Sequence, residues 1–248
     1  MDKVLVRQLL ACIDNTTLNG TDTIKHVEAF CRHTLDLTQG GGGAVAAVCV
    51  YPQFVATASR MLKGSSIKVA AVAGAFPHGQ LPIALKRAEV DWCANAGADE
   101  IDIVINRGLL LEGNDDEVCN EVAIMREACP NQRLKVILET GELPSQDDVA
   151  RAARIAIDGG ADFIKTSTGK IAVGATLQAA ETMLHVIADY RQQTGRTVGF
   201  KAAGGISTPD EALAYAQLAQ RIMGNDYLSP ATFRIGASRL TDKLYALL

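Results

Sequence analysis

Long apolar runs are missing from this sequence, and so are basic ones. The longest aliphatic stretches, such as Ala44–Tyr51, fall far short of the roughly 20 residues that a membrane span requires. Lys and Arg number 24 against 28 Asp and Glu, a formal net charge of −4, with no Lys/Arg-rich segment. The electrostatic footprint of a nucleic-acid binder is therefore absent. The six cysteines (Cys12, Cys31, Cys49, Cys93, Cys119 and Cys129) form no CxxC pair, so reduced thiols are expected in place of a disulfide framework. The four histidines are scattered, with no HxH or HExxH spacing, and no zinc or other metal site is expected. Asp2, Arg7 and Gln8 interrupt the N-terminal segment, which makes it a poor secretory signal. No Pro- or Ser-rich linker divides the chain. These absences predict a soluble, cytoplasmic globular protein folded as one domain over residues 1–248.

What is present is an alternation. Short aliphatic runs occur near Cys12–Asp14, Ala46–Val50, Lys68–Ala73, Glu100–Ile105, Leu134–Glu139, Asp162–Thr166, Val198–Lys201 and Phe233–Ile235. Longer stretches with helical patterning lie between them, including Pro52–Leu62, Ile83–Asn95, Asp115–Ala128, Gln146–Asp158, Leu177–Arg191 and Asp210–Arg221. The spacing is that of strand–helix–strand units. Eight of them predict a closed (β/α)₈ TIM barrel, preceded by a short N-terminal helix. Gly41-Gly-Gly-Ala-Val-Ala46 matches a dinucleotide fingerprint in letters only, because aliphatic residues and Pro52 follow it where a helix is needed. The Gly40–Gly43 run is therefore expected to be a flexible loop.

Barrel strands are buried on both faces, so polar residues within them need a reason. In Glu100–Asn106 the isoleucines at 101, 103 and 105 share one face, while Glu100, Asp102, Val104 and Asn106 share the other. The same alternation turns Lys135, Ile137 and Glu139 inward, opposite Val136 and Leu138. It sets Lys165 against Ile164, and Lys201 against Phe200. Four consecutive strands thus aim ionisable groups into the lumen. For Lys135 and Glu139 an internal salt-bridge network is one reading. Lys165 and Lys201 end neighbouring strands, near the face where barrel enzymes keep their chemistry. Two ammonium groups about 5–6 Å apart repel by roughly 3 kcal/mol at an effective dielectric near 20, or about two pKa units. On this reading repulsion supplies most of the shift that a neutral amine nucleophile needs and desolvation the rest. Asp102 is then expected not to form a tight, permanent pair with the nucleophile.

The loops beyond these strands add a second pattern. Lys165-Thr-Ser-Thr-Gly-Lys170, Lys201-Ala-Ala-Gly-Gly-Ile-Ser207 and Ile235-Gly-Ala-Ser238 end in small, glycine-containing turns. Late loops of a barrel commonly bind phosphate through backbone N–H groups. Lys170 would supply a point charge. Asp14 and Thr16 are either turn residues or ligands of substrate hydroxyls. Cys49 is either a small core residue or a thiol near the barrel mouth.

These residues resemble the deoxyribose-phosphate aldolase family, nearly end to end. The resemblance is carried by Ile13–Asn19, Ala47–Pro52, Phe76–Gly79, Gly97–Asp102, Leu134–Leu143, Gly160–Lys170, Val198–Ile206 and Arg234–Ser238. The FIKTSTGK and GFKAAGG blocks are its most specific parts. The resemblance implies that Lys165 is a Schiff-base lysine, Lys201 the second lysine, and Asp102 a participant in proton transfer. It implies a phosphate site of Lys170, Gly169, Gly204, Gly205, Gly236 and Ser238. A pocket lined by Asp14, Thr16, Cys49, Lys135, Thr166 and Thr168 is also implied. The expected partners are small-molecule sugar phosphate and aldehyde substrates, with no cofactor, and a homodimer by family analogy. Two departures stand out. Arg239 occupies a place where some members have a second Ser, either adding a charge to phosphate binding or pointing away. The sequence stops at Leu248 without the terminal Tyr tail of some members, so no proton relay from such a tail is expected. A related Schiff-base aldolase for another sugar phosphate, and a non-catalytic sugar-phosphate sensor, are the alternatives.

Overall fold

Eight aliphatic runs form parallel strands in the computed structural model, which describes residues 1–248. They are β1 (Ile13–Thr16), β2 (Ala47–Val50), β3 (Lys68–Ala73), β4 (Glu100–Val104), β5 (Arg133–Ile137), β6 (Phe163–Lys165), β7 (Gly199–Ala203) and β8 (Phe233–Ala237). Each strand pairs with the next in chain order, and β8 pairs with β1, so the sheet closes on itself and has no free edge. This is the (β/α)₈ barrel that the alternation predicts, with every strand end within two residues of its expected place.

The helices are α1 (Lys3–Ala11), α2 (Ile24–Leu37), α3 (Val55–Leu62), α4 (Ile83–Asn95), α5 (Arg107–Leu111), α6 (Asp115–Ala128), α7 (Gln146–Asp158), α8 (Leu177–Thr194), α9 (Pro209–Met223) and α10 (Thr241–Tyr245). Their starts are chemically marked. The side-chain oxygens of Thr23, Ser145, Thr176 and Thr208 each accept from the amide three residues on. Each such cap is worth ~1 kcal/mol. At Thr208 the cap is reciprocal, because Glu211 accepts from the Thr208 amide in turn. No helix is long and apolar enough to cross a membrane.

Two segments differ from the sequence reading. α2 was not anticipated, since only Val27, Cys31 and Thr34 along it are buried, and one of these is polar. The Gly40–Gly43 run is not a free loop. Thr38–Gly42 continues α2 as a π-turn in which Gly41 takes a φ of 90°, a conformation that favours glycine. The Tyr245 hydroxyl on α10 donates to the Gly43 carbonyl and ties this turn down.

The barrel has two interiors. Between sheet and helices lies the main apolar core, which takes Ile101, Ile103, Val136, Leu138, Ile164, Phe200, Phe233 and Ile235. Inside the lumen the apolar filling is smaller: Ala47 and Cys49 from β2, Ala70 and Val72 from β3, and Leu18 form one cluster, and Val104 of β4, Ile137 of β5 and Phe163 of β6 share the inward faces with the charged residues. The lumen's charged residues come from β1 and from β4 to β8.

Candidate active site

Strand alternation turns Asp14 of β1, Glu100 and Asp102 of β4, Lys135 of β5, Lys165 of β6, Lys201 of β7 and Arg234 of β8 away from the main core and into the lumen, where all are buried. Lys165 and Lys201 face each other in the β6–β7 register, and Asp102 faces Lys135 in the β4–β5 register. Asp102 is the hub. Its Oδ1 accepts from Lys135 at 2.9 Å, while its Oδ2 accepts from both Lys165 at 2.8 Å and Lys201 at 2.7 Å. The two lysine nitrogens therefore lie no more than about 5.5 Å apart, the sum of those two distances. Lys201 also donates to Asp14 Oδ2 at 2.5 Å. Below them, Lys135 reaches Asp14 Oδ2 at 3.1 Å and Glu100 Oε2 at 2.6 Å. Arg234 bridges Asp14 Oδ1 at 2.5 Å and the two oxygens of Glu100 at 2.7 and 3.0 Å. Its guanidinium lies 5.7 Å from the centre of the Phe163 ring.

Burying a charge costs several kcal/mol unless partners replace water. Here partners are unevenly shared. Lys135 meets three carboxylates, Lys201 and Arg234 two each, and Lys165 one. The proton affinities follow. Burial alone would push every lumen amine down and every carboxyl up. For Asp102 the surrounding Lys135, Lys165 and Lys201 overcome burial and hold the carboxyl well below its usual range. For Lys135 and Lys201 the carboxylates overcome burial and the amines are raised. For Lys165 burial wins: Asp102 pulls the amine up, Lys201 pushes it down again, and the net direction is down. The expectation that Asp102 forms no tight pair with Lys165 is therefore corrected, because the two are hydrogen-bonded directly. So is the order of causes, since desolvation exceeds like-charge repulsion. Four cations share three carboxylates, and Lys165, with one shared oxygen, is the amine least held to its proton.

Above the network, at the C-terminal ends of the strands, a cavity of about 440 Å³ opens. Lys165 lies in its wall, together with Thr16, Thr168, Gly169, Lys170, Gly204, Gly205, Gly236 and Ser238. Gly204 and Gly205 take φ values of 94° and 87°, which allows their amides to point into the opening. Gly236 has a different use: a Cβ there would come within 3.1 Å of Lys201 Cε. An amine whose hold on its proton is weakened by burial, in the wall of a cavity, with proton carriers behind it and loop amides across from it, is equipped for carbonyl addition.

Comparison with known proteins gives the chemistry a family. A model of the DeoC/LacD family aldolases matches residues 8–231. The deoxyribose-phosphate aldolase of Mus musculus is 45% identical over 244 residues, covering 94% of this chain and 77% of that one. Its Homo sapiens counterpart is 42% identical over 244 residues with the same coverage. Among solved structures, the tetrameric deoxyribose phosphate aldolase of Aeropyrum pernix superposes with a TM-score of 0.75 at 25% identity, over 97% of this chain and 91% of that one. The chain belongs to the DeoC/LacD aldolase family. It is an aldolase, a carbon–carbon lyase.

Several residues expected around the pocket of the aldolase sit elsewhere. Asp14, Lys135 and Cys49 are sealed below the cavity. Burial, reinforced by Asp102, pushes the Cys49 thiol up to about 11, so Cys49 is an inner-core residue and not a thiolate. Thr166 is spent as a staple: its hydroxyl donates to the Ala203 carbonyl at 3.0 Å and accepts from the Ala203 amide at 3.0 Å. Glu139 meets no cation. It is buried with its backbone in the left-handed region, and it accepts from the Thr168 hydroxyl at 2.5 Å and the Thr168 amide at 3.1 Å. Lys135 is thus in the ionic network and Glu139 is a fastener of the β6 loop. The Lys170 ammonium donates to the Leu18 carbonyl and stands 5.9 Å over the Tyr51 ring. Arg239 lines the cavity rim, exposed and without an ion pair or hydrogen bond. Glu100 and Arg234, to which the sequence assigns no role, complete the ionic network. The signal for Arg234 was available in Phe233-Arg-Ile235, a charge alternating with buried apolar residues as Lys165 does.

Proposed function

We propose that this aldolase reversibly cleaves 2-deoxy-D-ribose 5-phosphate into D-glyceraldehyde 3-phosphate and acetaldehyde through a Schiff base on Lys165. Neutral Lys165 adds to the C1 aldehyde of the open-chain sugar, and the carbinolamine loses water to give an iminium. The C3 hydroxyl gives up its proton, the C2–C3 bond breaks, and its electron pair flows into the iminium to leave an enamine. Glyceraldehyde 3-phosphate departs. Protonation of the enamine carbon and hydrolysis of the iminium then release acetaldehyde and restore the amine.

Lys201 is the acid nearest the reacting nitrogen, because it remains protonated on the far side of Asp102 Oδ2. Asp102, held strongly ionised, is a weak base. Its part is to pass protons between the two lysine nitrogens and, through a water, to and from the substrate. The amides of Gly169, Gly204, Gly205 and Ser238, the Gly236 turn and the Lys170 ammonium hold the phosphate, with Thr16 and Thr168 beside the sugar chain. Fixing the phosphate end delivers C1 to Lys165. The side chains carry the chemistry without a cofactor. By resemblance, the aldolase works in cytoplasmic deoxynucleoside and deoxyribose catabolism, as a homodimer.

The observation that carries this reading is the placement of Lys165: its amine is driven toward neutrality, and it lies in the wall of the cavity. Borohydride added with acetaldehyde is expected to fix a reduced two-carbon adduct on the Lys165 peptide. A label spread over surface lysines, or found chiefly on Lys201, would overturn the assignment.

A further inference from the structure

We propose that Arg234 and Glu100, which touch neither the cavity wall around Lys165 nor Lys165 itself, are positioning residues that set the charge surplus of the sealed lumen and so fix how readily Lys165 gives up its proton. The inference deepens the Schiff-base reading and rests on it for its catalytic meaning. Its physical content is a count of charges. Lys135, Lys165, Lys201 and Arg234 oppose Asp14, Glu100 and Asp102, a surplus of one cation. Arg133 also approaches Glu100, at 3.3 Å, but it is 34% exposed at the N-terminal mouth, where solvent screens it. Arg234 and Glu100 are 2% exposed each, at the inner end of the cavity that opens at the N-terminal mouth, so their charges are screened less than that of Arg133 and act on Lys165 through the buried ion pairs.

The groups that face Lys165 come from most of the barrel. Asp102 stands on β4, Lys201 on β7, Lys135 on β5, Asp14 on β1 and Cys49 on β2, while β3 contributes only Ala70 and Val72. Glu139, Lys170 and Arg239 belong to the loops above. Arg234 is joined to Lys165 through Asp14, Lys201 and Asp102, every link an ion pair. By occupying Asp14 Oδ1 and both Glu100 oxygens, it restricts Lys201 to Asp14 Oδ2 and Asp102 Oδ2. Lys165 is left with the one oxygen it must share.

The count makes predictions of opposite sign. Arg234→Met balances the lumen at three charges of each sign, so Lys165 should hold its proton to higher pH. Glu100→Gln raises the surplus to two cations, so Lys165 should lose its proton at lower pH. The double variant restores a surplus of one. A unit charge about 10 Å away at an effective dielectric near 20 corresponds to a displacement of about one pH unit.

The measurement is the pH dependence of Lys165 acylation by an amine-selective reagent, read by peptide mass spectrometry on the whole enzyme. The expected result is a midpoint about one unit higher in Arg234→Met, about one unit lower in Glu100→Gln, and near wild type in the double variant and in Arg234→Lys. Midpoints that move in the same direction, or not at all, overturn the proposal, as does Arg234→Lys behaving like Arg234→Met. Should Arg234→Met fail to fold, the downward shift of Glu100→Gln and its reversal in the double variant decide. Borohydride trapping on the same samples separates the two layers: an absent imine with opposite midpoint shifts refutes the Schiff-base reading and leaves the charge count standing.

Discussion

Lys135 and Lys165 are both buried lysines on the inner faces of adjacent strands, yet the lumen drives their amines in opposite directions. The floor of the lumen is saturated: every buried cation there has at least two carboxylates, and every carboxylate at least two cations. Towards the mouth cations outnumber acids, since Lys165 has one shared oxygen, Lys170 a carbonyl and Arg239 nothing. Burial therefore does not by itself make a lysine reactive. What separates a structural amine from a chemical one in this barrel is how many carboxylate oxygens remain to it after its neighbours have taken theirs.

Exchanging each lysine for an apolar residue should split these roles. Lys165→Met removes the proposed nucleophile and is expected to reduce turnover by more than about 10⁴-fold while leaving thermal stability close to wild type, since it deletes the least-paired buried charge. Lys135→Met leaves Asp14, Glu100 and Asp102 short of their shared cation and should cost about 3–5 kcal/mol of stability, as for a broken buried ion pair. Calorimetry and steady-state rates on the two variants check the split; comparable stability losses in both would erase the comparison. Lys201→Leu is intermediate. Its removal deletes the like charge that pushes the Lys165 amine down, so the Lys165 proton is held to higher pH and the activity profile moves alkaline. The proton source behind the nitrogen is also lost, which should slow imine formation by roughly 10²–10⁴-fold. A pH–rate series of single-turnover trapping reads both effects, and an unmoved profile would remove Lys201 from the mechanism.

How much of this was legible before the fold was known follows the same division. Alternation within Glu100–Ile105 or Asp162–Thr166 says which way a side chain points, so the inward placement of Asp102, Lys165 and Lys201 could be read directly. It says nothing of height along the barrel axis or of which oxygen a given amine reaches. The direct Asp102–Lys165 bond is therefore invisible in the sequence, as is the fact that the Thr166 hydroxyl is consumed by the β7 backbone and the Cys49 thiol is walled in. The inward turn of Arg234 is legible in the same way, as the one charge between Phe233 and Ile235 on β8, but its pairing with Asp14 and Glu100 is not, because both lie on distant strands. α2 was hidden by a polar residue, Thr34, on its buried face, where it accepts from Asn15 at 3.0 Å.

The mouth cations provide the finest test of the contrast, because neither Lys170 nor Arg239 is matched by an acid of the protein and both are free to meet an anionic substrate. A charge-assisted hydrogen bond contributes about 1.5–3 kcal/mol, so Lys170→Ala should lower kcat/KM for 2-deoxyribose 5-phosphate by roughly 10- to 100-fold. Arg239 is exposed at the rim and more heavily screened, so Arg239→Ala should cost less, about 3- to 10-fold, and the loss should shrink as salt is added. Neither change should alter the rate with unphosphorylated deoxyribose, because that substrate offers no anion to these side chains. Rates measured with both sugars at low and high ionic strength check the prediction. Equal losses on the two sugars would mean that the mouth cations support the loops and not the phosphate, and the surplus of positive charge would then be confined to the lumen. A loss at Lys170 alone would narrow the phosphate contact to the β6 loop and leave Arg239 pointing into solvent.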